Sequence, residues 1–108
     1  APPPELLFAL AGDGAWIAVA PGLERRGLFR SRGRGTAYLL RVAPGATIPD
    51  HEHRGVEHSY VLSGSITVEG QLCRAGDYHR AAAGTSHHAP HSEDGCVMLV
   101  VLEAAAAS

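Results

Sequence analysis

Gly45-Ala46-Thr47-Ile48-Pro49-Asp50-His51-Glu52-His53-Arg54-Gly55-Val56-Glu57-His58-Ser59-Tyr60-Val61-Leu62-Ser63-Gly64 places two histidines two residues apart, a glutamate four residues further on, and a glycine at each end. Side chains two apart on a β-strand share a face, so the His51 and His53 imidazoles can point together while Asp50 and Glu52 point away. Arg54-Gly55 can turn the chain and bring the Glu57 carboxylate, on the following strand, alongside the two rings. A second cluster, Gly84-Thr85-Ser86-His87-His88, supplies another imidazole from a later strand or loop. Three neutral imidazoles and one carboxylate suit divalent zinc, iron, manganese, nickel or copper, and a bound metal is the simplest account of the group. Any one of these histidines alone would read as a surface or hydrogen-bonded residue.

Outward from this stretch, glycine and proline punctuate the chain at 44 to 45, 54 to 55, 63 to 64, 70, 75 to 76, 84, 90 and 95. The intervening segments have room for strands and none for long helices. The predicted strands are Trp16–Ala20, a short one beginning at Leu28-Phe29, Thr36–Ala43, Val56–Leu62, Ser65–Glu69, Gln71–Arg74, Tyr78–Ala81 and Cys96–Leu102, with a turn over Ser31–Gly35. Together they predict an all-β fold, an antiparallel sandwich or small barrel. Trp16 is assigned to the core, and Glu5–Ala11 reads as a helical turn or an entering strand. Ala1-Pro2-Pro3-Pro4 reads as a linker, residues 5–102 as one domain, and the alanine-rich 103–108 as a tail.

At 108 residues the chain makes one domain. Hydrophobic residues at 45% and charged residues at 19% describe a globular composition rather than a disordered one. The longest apolar run, Cys96 to Leu102, is too short to cross a bilayer as a helix, so no membrane partner is expected. A net charge of -2 and 6% aromatics give no basis for direct nucleic-acid binding. All nine basic residues are arginine, and without lysine Schiff-base and phosphate-loop chemistry are excluded for this chain. Cys73 and Cys96 have no paired spacing, which suits a reducing, cytoplasmic setting, and each reads as a small core residue. All 7 histidines fall between residues 51 and 91, which is where the site is expected.

The chain resembles the cupin superfamily, whose first motif runs G-x5-H-x-H-x3-E-x6-G. Gly45, His51, His53, Glu57 and Gly64 meet it at every position and every gap. The second motif, G-x5-P-x-G-x2-H-x3-N, is met by Gly76, Gly84 and His87, with Ala82 in place of proline and His91 in place of asparagine. The joint spacing then favours a metal site over the surface reading. The resemblance spans about residues 36 to 102 and implies a jelly-roll β-barrel with His51, His53, Glu57 and His87 as ligands of one divalent metal ion. Zinc is the expected ion, with iron(II), manganese and nickel as alternatives.

Within the superfamily, Ala43-Pro44-Gly45, His53-Arg54-Gly55-Val56-Glu57, Tyr60-Val61-Leu62-Ser63-Gly64, Ala75-Gly76-Asp77-Tyr78 and Asp94-Gly95-Cys96 look most like the ChrR-type cupins. These are often C-terminal halves of anti-sigma factors, preceded by a zinc-binding helical domain that grips the sigma factor. The proline-rich start without an initiator methionine fits a cut at such a boundary. The resemblance thus implies a sensing module controlling transcription, with a sigma factor as partner through a missing N-terminal domain. A small-molecule ligand in the barrel and a homodimer are further partner expectations. The alternative is an enzyme, a small iron(II)-dependent cupin dioxygenase that cleaves a β-diketone or oxidises a thiol. The balance leans away from catalysis.

Other residues take plainer expectations. His91 is left out of the ligand set, His58 faces away from Glu57, and His79 and His88 are assigned to the surface. Glu69, Tyr60 and Tyr78 are candidates for proton transfer beside the metal should there be catalysis. Arg25, Arg26, Arg30, Arg32 and Arg34 read as a solvated hairpin, with an acidic protein partner as the functional alternative.

Overall fold

A computed structural model describes residues 6–105, so the proline linker at 1–4 and the last three residues of the alanine tail lie outside the described residues. Turn residues cut the chain into nine strands among the described residues. They are β1 (Ile17–Ala20), β2 (Leu23–Ser31), β3 (Gly35–Val42), β4 (His51–Glu52), β5 (Glu57–Val68), β6 (Gln71–Arg74), β7 (Tyr78–Ala81), β8 (Ser86–His87) and β9 (Cys96–Leu102). No helix is long and apolar enough to cross a membrane.

Every pairing is antiparallel. The order along the main sheet is β1-β2-β3-β9-β5-β6, with β7 on the free flank of β5, while β4 and β8 form a two-stranded ladder of their own. The result is the all-β, jelly-roll kind of architecture that the turn spacing predicts. Its interior follows the period of two: Cys96, Met98 and Val100 of β9 are buried, and Leu40 and Val42 of β3, Val61 and Ile66 of β5, Leu23 and Cys73 complete the core. Burial of each large aliphatic side chain contributes about 1.5–3 kcal/mol. Because Cys96 and Cys73 sit in this core, burial pushes both thiols up from their ordinary pKa, which suits packing rather than nucleophilic roles.

Several expectations are corrected. Val56–Leu62 and Ser65–Glu69, predicted as two strands, are one continuous strand, β5. Gly64 marks no turn; it is where β5 leaves its pairing with β9 and takes up β6. A Cβ there would stand 2.0 Å from the Gly95 carbonyl oxygen, and the backbone sits at φ +73, so β5 passes the start of β9 at a point only glycine fits. The strand predicted from Leu28 begins at Leu23 instead, since the apolar alternation there is masked by Arg25 and Arg26.

Trp16 is not core: it lies half-buried beside β1, with the Arg41 guanidinium 4.1 Å from its ring centre. Residues 6–10, read as a helical turn or strand, form neither. They are held by Arg26, whose Nε donates to the Asp13 carbonyl at 2.7 Å and whose Nη2 donates to the Leu10 carbonyl. Arg26 is thereby a buried, hydrogen-bonded group rather than part of a solvated hairpin.

Candidate metal centre

The short β4–β8 ladder sets His51 directly opposite His87. His53 follows β4 and is clamped by backbone: its N–H donates to the Thr85 carbonyl at 2.9 Å and the Gly84 N–H donates to the His53 carbonyl at 2.7 Å. Thr85 in turn donates its N–H and its hydroxyl to the Ala82 carbonyl, at 3.2 and 2.6 Å, so this turn closes with alanine where the motif has proline. Glu57, the first residue of β5, extends its carboxylate into the same space with 14% of its side chain exposed.

The three rings converge. Their centroids are 4.7 Å apart for His51 and His53, 4.9 Å for His53 and His87, and 5.5 Å for His51 and His87. One ligand atom from each of the three histidines lies within 4.8 Å of the others, so the group can hold a metal ion. Glu57 Oε2 is 3.4 Å from His53 Nε2 and 3.6 Å from His51 Nε2.

Hydrogen bonding fixes which nitrogens face inward. A carbonyl only accepts, so His51 Nδ1–H donates to the Pro49 carbonyl at 3.0 Å and His53 Nδ1–H to the Thr85 carbonyl at 2.8 Å. His87 Nδ1–H is directed at the His88 carbonyl at 3.4 Å. In its neutral form, a ring that donates from Nδ1 presents Nε2 as a lone pair, and His53 Nε2 is buried without a hydrogen-bond partner. Lone pairs and a carboxylate gathered without a donor repel one another, and a cation relieves that repulsion. The Glu57 spacings of 3.4 and 3.6 Å agree with this: donors held about 2.0–2.1 Å from a tetrahedral ion stand about 3.4 Å apart, which is too long for good hydrogen bonds. The residues present therefore fit a divalent metal.

Two neighbours that the sequence reading missed share this space. His79, assigned to the surface, points inward from β7, paired with Ser59 of β5, and its Nδ1 is buried and unpartnered. Burial lowers its pKa, opposed by the Glu57 carboxylate and aided by the His87 and His53 rings. Strand alternation carried the signal, since Glu57 and Ser59 share a face of β5 and the partner of Ser59 follows them. Tyr38 of β3 lines the same interior, and its phenol is pushed up to about 12 by burial and by the Glu57 carboxylate, against the nearby Arg25 guanidinium. A tyrosine inside a predicted strand gave no sign of this.

The remaining candidates lie elsewhere. His91 bridges to Thr47 and Thr67 and shares a 3.1 Å hydrogen bond between its Nδ1 and the Thr47 hydroxyl, outside the cluster. His58 faces away from the site, between the Tyr78 hydroxyl at 2.6 Å and Glu103 Oε2 at 2.7 Å. Tyr78 and Tyr60 are exposed, while Glu69 Oε1 accepts the His88 N–H at 2.6 Å and lines a surface depression beside His87. His88 itself is exposed.

On the interior side the site adjoins a cavity of about 50 Å³, lined by Tyr38, His79 and Met98 among others, room for a few waters only. On the solvent side His51, His53 and Glu57 form the floor of a wide depression of about 990 Å³.

An antiparallel jelly roll with three histidines and a glutamate converging at one end defines the cupin class. Residues 7–106 match the family described as the ChrR cupin-like domain, and the chain belongs to that family. It is 33% identical over 94 residues to the anti-sigma-E factor ChrR of Cereibacter sphaeroides, an alignment covering 85% of this chain and 43% of that protein. The chain thus spans less than half the length of this curated relative. The crystal structure of Rhodobacter sphaeroides SigE in complex with the anti-sigma ChrR is similar with a TM-score of 0.76 at 30% identity, covering 87% of this chain and 51% of that one. An RmlC-like cupin from Shewanella frigidimarina shares the fold, with a TM-score of 0.80 at 23% identity over 94% of this chain and 93% of the other.

Proposed function

We propose that this chain is the metal-binding sensing module of a ChrR-like anti-sigma factor, acting in the cytoplasm and controlling transcription through a sigma factor held by another part of the same protein. The observation that carries the metal reading is the orientation of the three rings: His51 and His53, and at longer range His87, spend their Nδ1–H on backbone carbonyls, the three rings converge, and the Nε2 atoms of His51 and His53 face the Glu57 carboxylate. These four residues are the ligands in this proposal, and zinc is the ion. A zinc ion held by four protein groups forms a filled tetrahedron and supplies structural tethering rather than an open position for chemistry. The protein's contribution is to hold each ring in the correct tautomer through the Pro49, Thr85 and His88 carbonyls, so that loss of the ion frees the β4–β8 ladder as a unit.

Membership of the ChrR cupin-like family supports the regulatory part of the reading. The test is elemental analysis of the protein purified without added metal, together with sigma-factor binding by the full-length gene product. The proposal expects about one zinc per chain, and a sigma-factor affinity that changes when Glu57→Ala removes the metal. Metal-free protein that accepts no zinc would overturn the metal reading, and unchanged sigma affinity would overturn the sensing role.

A second reading, an iron(II)-dependent dioxygenase, draws on the wide depression above the same ligands. With iron(II) the four groups would leave octahedral positions free. Oxygen uptake by iron-loaded protein with a β-diketone or thiol substrate would favour this reading over the regulatory one.

A further inference from the structure

The five arginines that read as one basic run are parted by the fold. Arg25 lies with its guanidinium 4.0 Å from the centre of the Tyr38 ring, and Arg26 is buried on the Asp13 and Leu10 carbonyls. Arg30 and Arg32 instead line the depression above the metal centre, where Arg54 joins them from the turn between His53 and Glu57. Register explains the direction of Arg30. It stands opposite Thr36 of β3, and Thr36 shares its face with Tyr38 two residues on, which lines both the depression and the interior.

The lining of this mouth carries three arginines against two glutamates. The whole sequence carries -2, yet Arg30, Arg32 and Arg54 all line the depression and have no acidic partner among the described residues. The two acids lining the same depression are already engaged: Glu57 at the ring cluster and Glu103 on His58 Nε2 at 2.7 Å. Unpaired guanidinium groups around a concave site focus a positive potential into it, and their forked donors match the planar oxygens of a carboxylate or the face of a phosphoryl group. The volume of about 990 Å³ is ample for a small organic ligand.

We propose that this depression is a binding site for a small organic oxyanion, a carboxylate or a phosphoryl compound, gripped by Arg30 and Arg54 with Arg32 at the rim. The anion lies over the ring cluster, so ligand binding and metal occupancy share the segment His51 to Glu57. The inference extends the sensing role by naming the class of molecule sensed, and it rests on that reading for its meaning while the arginine contacts stand on their own.

Titration calorimetry of the zinc-loaded chain with succinate and, separately, methylphosphonate tests it. Saturable binding of either probe is expected, and Arg30→Gln or Arg54→Gln should weaken it at least about tenfold, the value of one charge-assisted hydrogen bond. Arg80→Gln, an exposed arginine of β7 outside the depression, should leave affinity within about twofold. Preference between the probes distinguishes carboxylate from phosphoryl as the source of the anion. Absence of saturable binding up to about 10 mM, or an equal loss in Arg80→Gln, would overturn the proposal. Metal content measured on each sample separates the two readings: a chain that takes up no zinc yet binds the probes through Arg30 and Arg54 contradicts the metal centre and upholds the anion site.

Discussion

His53 concentrates the argument at the scale of single residues. Its ring is buried, its Nδ1–H is committed to the Thr85 carbonyl, and its Nε2 meets no donor. Replacing His53 or Glu57 with alanine should abolish zinc binding, read by elemental analysis, whereas His91→Ala should keep the metal because its Nδ1 serves the Thr47 hydroxyl instead. Tyr38 yields a prediction of alkaline stability. Its folded value of about 12 lies above the 10.0 of a free phenol, so the unfolded chain sheds this proton first as pH rises. The contribution is complete below pH 10 and is lost as pH climbs through 12, an effect of about 3 kcal/mol over the whole range. Thermal melts from about pH 9.5 to 11 should accordingly fall less steeply for Tyr38→Phe than for the parent chain. Equal slopes would show that the phenol is not held protonated by its surroundings.

Strands and turns set a second scale, and Gly64 is where it is tested. Alanine there would put a Cβ 2.0 Å from the Gly95 oxygen at a backbone angle that disfavours side chains. Both neighbours are main chain, so the strain has no flexible side chain to absorb it. Gly64→Ala should cost about 2 kcal/mol or more in denaturant melts, while Gly70→Ala, in a β-turn with open space around it, should cost about 1 kcal/mol. The same scale shows what was legible in advance. The spacing of His51, His53, Glu57 and Gly64, and the turn residues between short apolar segments, pointed to the all-β fold and the cluster because local geometry governs both. The start of β2 was not legible, since Arg25 and Arg26 break the apolar pattern for reasons of tertiary contact with Tyr38 and the 10–13 loop. For His79, alternation along β5 gives the face of Ser59, but the inward placement also needs the register that sets Ser59 opposite His79, which neither segment encodes alone. Trp16 departs from the core expected of its hydrophobicity because the Arg41 guanidinium covers its ring.

For the whole molecule, a metal ion bound only by the folded state raises stability by mass action. At a free zinc concentration of about a hundred times the dissociation constant the gain is about 2.7 kcal/mol, or about 10–20 °C in melting temperature for a domain of this size. Chelation should reverse it, and the Glu57→Ala chain should melt at one temperature with or without zinc. Seen at this scale, the barrel presents two faces of one device: a ligand cluster pinned by backbone carbonyls, and above it a mouth lined by arginines in a chain that is otherwise weakly acidic. Zinc K-edge X-ray absorption on the metal-loaded chain examines the cluster most directly. Four nitrogen and oxygen neighbours at about 2.0–2.1 Å with the outer-shell scattering of imidazole are predicted. Sulfur at about 2.3 Å, or an ion surrounded by water alone, would contradict the ligand set on which the account stands.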